Sequence, residues 1–538
     1  MKKIILLFLG CVTGTAVLQS QGVHLSITER GAVPDGFRDN AFVIQKTIDE
    51  VHNRGGGVVE IPRGRFVSGV IRLRSNVELN IHAEAVLLAS TDRFAYGPSM
   101  EASGWIQADS ANHIAITGKG LIDGQADLLI ADIYDKLRSG ALQDPEWKQF
   151  NPWHQRRPVE ENRPRMIRFS NCDSVRIQGI RLQNGTSWIQ DYRNCNHMLI
   201  RDIDVFSNTF LNNDGIDLTD CSNALITNCH VNVADDGICL KSSMRNSRCE
   251  NIIITHCRVR SSASAIKLGT ASQGGFRNIK VSDIDVYDTF RSAIAIEAVD
   301  GGIAENISVK NIRATHTGNA IFIRLGHRNK DPQYSQLKNV YIGNLTVQVP
   351  RGKPDEGYTH DGPELRTASH IDPESMNHGK PLWYYYGIDT TGPLVKHSVF
   401  PSSIVGIPGH PVENVVLENI HIRYEGGDEV AQTKDPLKAI KEIPEETTDY
   451  PEFSMFGELP AWGLYIRHAD GIRLKNIQLE TGKPDHRVPI ITDEVKSLQI
   501  QKIDIPQFFS TQSMILSRTG VKEIKEVSKE IRSAIISQ

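Results

Sequence analysis

Alternating apolar and polar residues recur along this chain at a near-constant interval. One copy starts at Ser174, with Val175, Ile177, Ile180 and Leu182 apolar and polar residues or glycine between them. Others start at His197, Asn223, Asn251, Asn278, Asn306, Asn339, Asn414 and Gly471, and a degraded one at Ser497. From Asn196 the anchors step to 223, 251, 278 and 306, an interval of 27 or 28 residues. Alternation with period two marks strands with one buried face. Strands that recur without amphipathic helices between them cannot form βαβ units, but they can stack as coils of a solenoid. The pattern therefore predicts an all-β, right-handed, single-stranded parallel β-helix. Asn and Gly at the corners suit tight bends and side-chain ladders.

One column of the repeat reads Ile180, Ile203, Cys229, Cys257, Ile284, Ile312, Leu345, Ile420, Ile477 and Ile503. Cysteine stands there for an aliphatic residue, so Cys229 and Cys257 read as small buried hydrophobes. At the front, Ala41, Ile44, Ile48 and Val51 have helical spacing and predict a helix over 39–51 that caps the first coil's open edge. Two stretches interrupt the repeat, 126–164 with Trp147 and Trp153, and 350–411, rich in Pro, Gly, His and Tyr. Loops of that length usually serve function. The expected division is a leader over 1–20, a cap and first coil over 21–74, the β-helix over 75–506, and a tail over 507–538 with no structure assigned.

Charge changes the picture only by exclusion. The chain has 60 basic and 64 acidic residues, a net charge of −4, and no basic run interleaved with aromatics. No nucleic-acid or membrane-surface partner is expected. Met1, Lys2 and Lys3 precede a short apolar run from Ile4 to about Leu18, the pattern of a secretory leader cut near Ser20 and too short for a membrane span. The expectation is an exported monomer. Lipid attachment at Cys11 is the weaker alternative.

Two acidic clusters carry candidate chemistry. One is Asn212-Asn213-Asp214-Gly215-Ile216-Asp217, the other Asp235-Asp236-Gly237 with Lys241 shortly after it. Asp214 and Asp235 are 21 residues apart, about one coil. Stacked coils lie roughly 4.8 Å apart, so the three carboxyls should meet on one outer face. Carboxylates that close cannot all ionise normally, and at least one is pushed upward. Glycosidic cleavage needs that split, with a protonated acid for the leaving oxygen and an ionised carboxylate for water. An inverting pair is usually about 6.5–9.5 Å apart. Calcium binding and ordinary Asp-Gly turns are the alternatives that spacing leaves open.

The chain also resembles glycoside hydrolase family 28, the polygalacturonases and their relatives. The resemblance runs through Gly31 to Gly36, Ser75 to Leu79, Ile116 to Gly124, Arg163-Pro164-Arg165, Ser187-Trp188, both acidic clusters and Leu464 to His468. It implies a right-handed β-helix and an inverting hydrolase that needs no cofactor or metal. It implies that Asp235 is the general acid, that Asp214 and Asp236 hold and deprotonate the water, and that Asn212 and Lys241 belong to the site.

The chain departs from the family twice. Ser264 stands where the family has histidine, and Ala295 and Glu297 stand where an Arg and a Lys grip the galacturonate carboxylate. Arg291 or Arg324 is the candidate replacement cation, and Glu297 could instead meet hydroxyls of a neutral sugar. Trp188, Trp153 and Tyr384 to Tyr386 are candidate stacking residues. The expected function is hydrolysis of a pectic or related polysaccharide or oligosaccharide, with the long loops closing one groove end for exo action. A β-helix lyase and a non-catalytic glycan-binding solenoid are the alternatives.

Overall fold

The computed structural model describes residues 22–149, 157–352, 354, 398–427 and 435–537. The expected leader, Trp153, Tyr384 to Tyr386 and most of the stretch 350–411 lie outside the described residues. The strands pair in parallel, each with its counterpart one coil on, and wind into a right-handed β-helix.

Register follows the repeat. Cys257 stands opposite Ile284, and the column continues through Ile312, Leu345, Ile420, Ile477 and Ile503. All are buried in one continuous apolar core, where each aliphatic side chain contributes roughly 1.5–3 kcal/mol. The seven described cysteines are free and buried, Cys229 and Cys257 of the aliphatic column among them.

The corner asparagines form two ladders. In one, Asn223 Nδ2 donates to Asn196 Oδ1 at 2.8 Å, and Asn251, Asn278, Asn306, Asn339 and Asn414 each donate to the preceding rung. In the other, Asn344, Asn419 and Asn476 do the same above Asn311. All of them except Asn196 have φ near +55°, a left-handed bend that asparagine tolerates best after glycine.

The helix Ala41–Asn53 covers the first coil with Ile44, Ile48 and Val51 buried beneath it. At the other end the parallel pairing continues past residue 506. Ile503 stands opposite Val527, and Met514–Ser517 and Ile535–Ser537 add further rungs, so the solenoid runs through the tail. The single-turn helix Lys529–Ser533 buries Ile531 against the last coil. The interruption at 126–164 contains the helix Ala126–Arg138, whose Leu129, Ile130, Ile133 and Leu137 join the core. A further interruption, unmarked by the repeat, lies between the copies at Asn414 and Gly471. Its described part, residues 435–460, folds over one outer face and is called the lid below.

Candidate active site

The face that matters is built from Gln190–Arg193, Ile216–Thr219, Ile238–Ser242, Ile266–Ser272 and the end of Gly275–Ala298, in successive rungs. Ile216 stands opposite Ile238. One coil is therefore 22 residues here, and Asp214 lines up with Asp236 while Asp235 flanks them. An oxygen from each of Asp214, Asp235 and Asp236 lies within 4.8 Å of the others. These are distances between single oxygens, and a gap of that size is one that a water bonded at about 2.8 Å to each side could span.

The glycines after the aspartates are stacking residues, not turn residues. A Cβ on Gly215 would lie 2.5 Å from the Gly237 carbonyl oxygen, and one on Gly237 would lie 2.7 Å from that of Ala265. Only glycine lets the rungs close up where the carboxyls converge.

Asp214 and Asp236 are each 4% exposed, and Asp235 is half-buried. Lys241 Nζ lies 3.1 Å from Asp214 and also contacts Asp217. Lys267 Nζ lies 3.0 Å from Asp236 and 4.0 Å from Glu297. Asp236 further accepts a hydrogen bond from the Ser264 N–H at 3.1 Å. Asn212 Nδ2 donates to Asp235 at 3.3 Å, and Arg163 holds the Asn212 carbonyl at 2.9 Å.

These surroundings split the acids. Burial pushes Asp235 up and the charge on Asp236 adds to it, against partial relief from Arg291 and Lys267. Burial acts on Asp236 too, but Lys267, Lys241 and Arg291 outweigh it and hold this carboxyl below its usual range. Burial and Asp217 push Asp214 well up despite Lys241. Asp217, which also contacts Lys241, is itself raised to about 7 by burial. Glu297, 2% exposed, is raised to about 7 by burial and receives a hydrogen bond from Thr270 at 2.9 Å.

The two candidate cations part company. Arg291 belongs to the cluster, with Nη1 2.8 Å from Glu452 of the lid and its charge felt at Asp235 and Asp236. Arg324 does not. It is fully buried and donates to the carbonyls of Gly406, Glu445 and Glu446, so it clamps the lid.

The lid also explains Ala295. The column Asp217, Cys239, Lys267, Ala295, Phe322, Ser403 turns from charged to apolar at Ala295. Ala295 and Phe322 pack there under Ile440, Ile443, Phe453, Met455 and Phe456. An arginine at 295 would be driven under that apolar cover. At the boundary Tyr450 meets Lys267 at 3.2 Å. Lys267, Tyr450 and Glu452 escaped the sequence reading, and Asp217 was read only as the end of the first acidic cluster. The shared strand phase of Asp217 and Lys267 was an available signal. Tyr450 comes from 183 positions away, with no periodic cue.

Residues 54–358, more than half of the chain, match the model of glycosyl hydrolases family 28. The chain is 26% identical to a probable polygalacturonase of Vitis vinifera over 74% of each chain. It is 25% identical to an exopolygalacturonase of Zea mays over 60% of this chain and 77% of that one. A hyperthermoactive exopolygalacturonase structure from Thermotoga maritima shares the fold with a TM-score of 0.54 and 21% identity, covering 75% of this chain and 87% of that one. The carboxyl cluster thus sits in a glycoside hydrolase, and the chain belongs to glycosyl hydrolases family 28.

Proposed function

We propose that this enzyme removes sugars from one end of a pectic polysaccharide, with inversion at the anomeric carbon. Asp235, raised and the most accessible of the three aspartates, donates its proton to the leaving glycosidic oxygen. Asp236, held ionised by Lys267, takes a proton from the attacking water, and Asp214 helps to hold that water. The carrying observation is the opposite displacement of two adjacent carboxyls whose oxygens lie within 4.8 Å, since general acid–base cleavage needs one of each.

The exo mode rests on the lid. Apolar packing over Ala295 and Phe322 roofs the face just past Glu297, and Tyr450 and Glu452 reach in at the rim. A groove that stops one rung beyond the acids accepts a chain end. Two ammonium groups already face the carboxyls, and this supports hydrolysis over a calcium-dependent lyase. The leader pattern of residues 1–20 supports action outside the cytoplasm.

The test is a screen of galacturonan, both rhamnogalacturonans and neutral glycans, with released sugars identified and the first-formed anomer read by proton NMR. Hydrolysis with inversion, lost in a folded Asp235→Asn variant, is expected. An unsaturated product absorbing in the ultraviolet, or full activity in Asp235→Asn, would overturn the reading.

A further inference from the structure

Upstream of the acids the same face is cationic. Asp191 stands opposite Asp217 one rung back, and Arg168 opposite Asp191 one rung further. Asp191 is fully buried, yet three guanidinium groups converge on it: Arg193 at 2.9 Å, Arg165 at 3.0 Å and Arg168 at 3.6 Å. Glu160 meets Arg165 at 3.4 Å, and the charge of Arg193 is also felt at Asp220, which leaves Arg168 in the longest of the contacts. Both outer guanidinium groups reach solvent, since Arg168 and Arg193 keep 34% and 37% of their side chains exposed. The 3.6 Å contact of Arg168 is too long for a hydrogen bond.

The patch is continuous with the acids. The half-buried Trp188 ring lies 4.2 Å from Lys241, which binds Asp214, and 4.9 Å from Arg165. Downstream, the lid occupies the face and Arg291 is paired with Glu452. A bound chain therefore has the upstream rungs to lie on.

We infer that Arg168 and Arg193, braced by Arg165 and Asp191, form a subsite for the carboxylate of a uronic acid in the part of the substrate not being released. The inference rests on the hydrolase reading for its substrate and adds where that substrate's charge is read. The guanidinium fork matches a carboxylate in shape as well as charge. Moving the cations upstream also accounts for their loss at Ala295 and Glu297.

The Asp235→Asn chain is titrated calorimetrically with a galacturonate trimer and with its neutral methyl ester. The acid form is expected to bind at least about tenfold tighter, in line with one charged hydrogen-bonded contact, with the preference falling as salt is added. Arg168→Gln with Arg193→Gln should abolish the preference, and Arg168→Lys should keep much of it. If loss of Arg193 unfolds the chain, Arg168→Gln alone decides, because Asp191 keeps its two closer partners. Equal binding of acid and ester, or a preference the arginine variants leave intact, overturns the subsite. Sugar release by the parent enzyme is scored separately. If no glycan is cleaved, the hydrolase reading falls while the titration still decides the subsite.

Discussion

Lys267 Nζ stands 3.0 Å from Asp236, both side chains buried, and joins them across two adjacent rungs. This ammonium is the largest of the three cationic influences, with Lys241 and Arg291, that hold Asp236 below its usual range. Without that ammonium, burial and the neighbouring acids would drive Asp236 upward along with Asp235.

The first prediction follows from this contact. If ionised Asp236 activates the water, kcat/KM falls as pH drops through its pKa. Removing the positive charge raises that pKa, so Lys267→Met should move the acid limb of the pH profile to higher pH. At neutral pH the loss should be about 10²–10³-fold, the usual worth of a positioned base. Lys267→Arg should recover part of the rate and return the limb toward its original place. A uniform drop with an unmoved limb would make Lys267 a packing residue only.

The lid predicts product size. Tyr450→Ala with Glu452→Ala removes the two polar side chains at the rim and leaves the apolar anchor of Phe453, Met455 and Phe456 in place. The parent enzyme should release one short product from the earliest time points. The double variant should release a spread of longer oligosaccharides, seen by anion-exchange chromatography of early digests. An unchanged product pattern would place the stop elsewhere.

The repeat was legible because each coil must bury the same phase against its neighbours. Asn223, Asn251 and Asn278 repeat because each bonds the one before it. Asp214, Asp235 and Asp236 were legible for the same reason, since one coil brings them together. The lid was not. Its Phe453 and Phe456 cover the outside of the solenoid, where no period is imposed, and Tyr450 meets Lys267 only through that packing. The tail was missed on opposite grounds, for Val521–Val527 is largely exposed and shows little apolar pattern. Arg324 has the phase of a groove residue, and only the backbone carbonyls above it reveal a clamp.

Gly237 makes a stability prediction. An added Cβ would lie 2.4 Å from Val259 Cγ1 and 2.7 Å from the Ala265 carbonyl oxygen. The second contact is with backbone of the next rung, which cannot rotate away. Gly237→Ala should destabilise the fold by about 1–3 kcal/mol, read as a lower urea midpoint. Gly352→Ala is the control, since nothing stands within 4 Å of its added Cβ.

Glu297 predicts how stability depends on pH. Its carboxyl is raised from the ordinary 4.5 to about 7 by burial, so the folded chain holds this proton more tightly than the unfolded one. The contribution is fully present below about pH 4, declines as pH rises from there, and is gone above about pH 7. A rise of that size corresponds to about 3 kcal/mol. Glu297→Gln keeps the shape and cannot ionise, so the difference in unfolding free energy between variant and parent should grow in favour of the variant from pH 4 to 7 and then level off. Asp217 titrates over the same range but is present in both proteins and cancels in the difference. Parallel stability curves for the two proteins would show that Glu297 titrates alike in the folded and unfolded chain, and at neutral pH the lid side of the site would then hold one more negative charge than this account gives it.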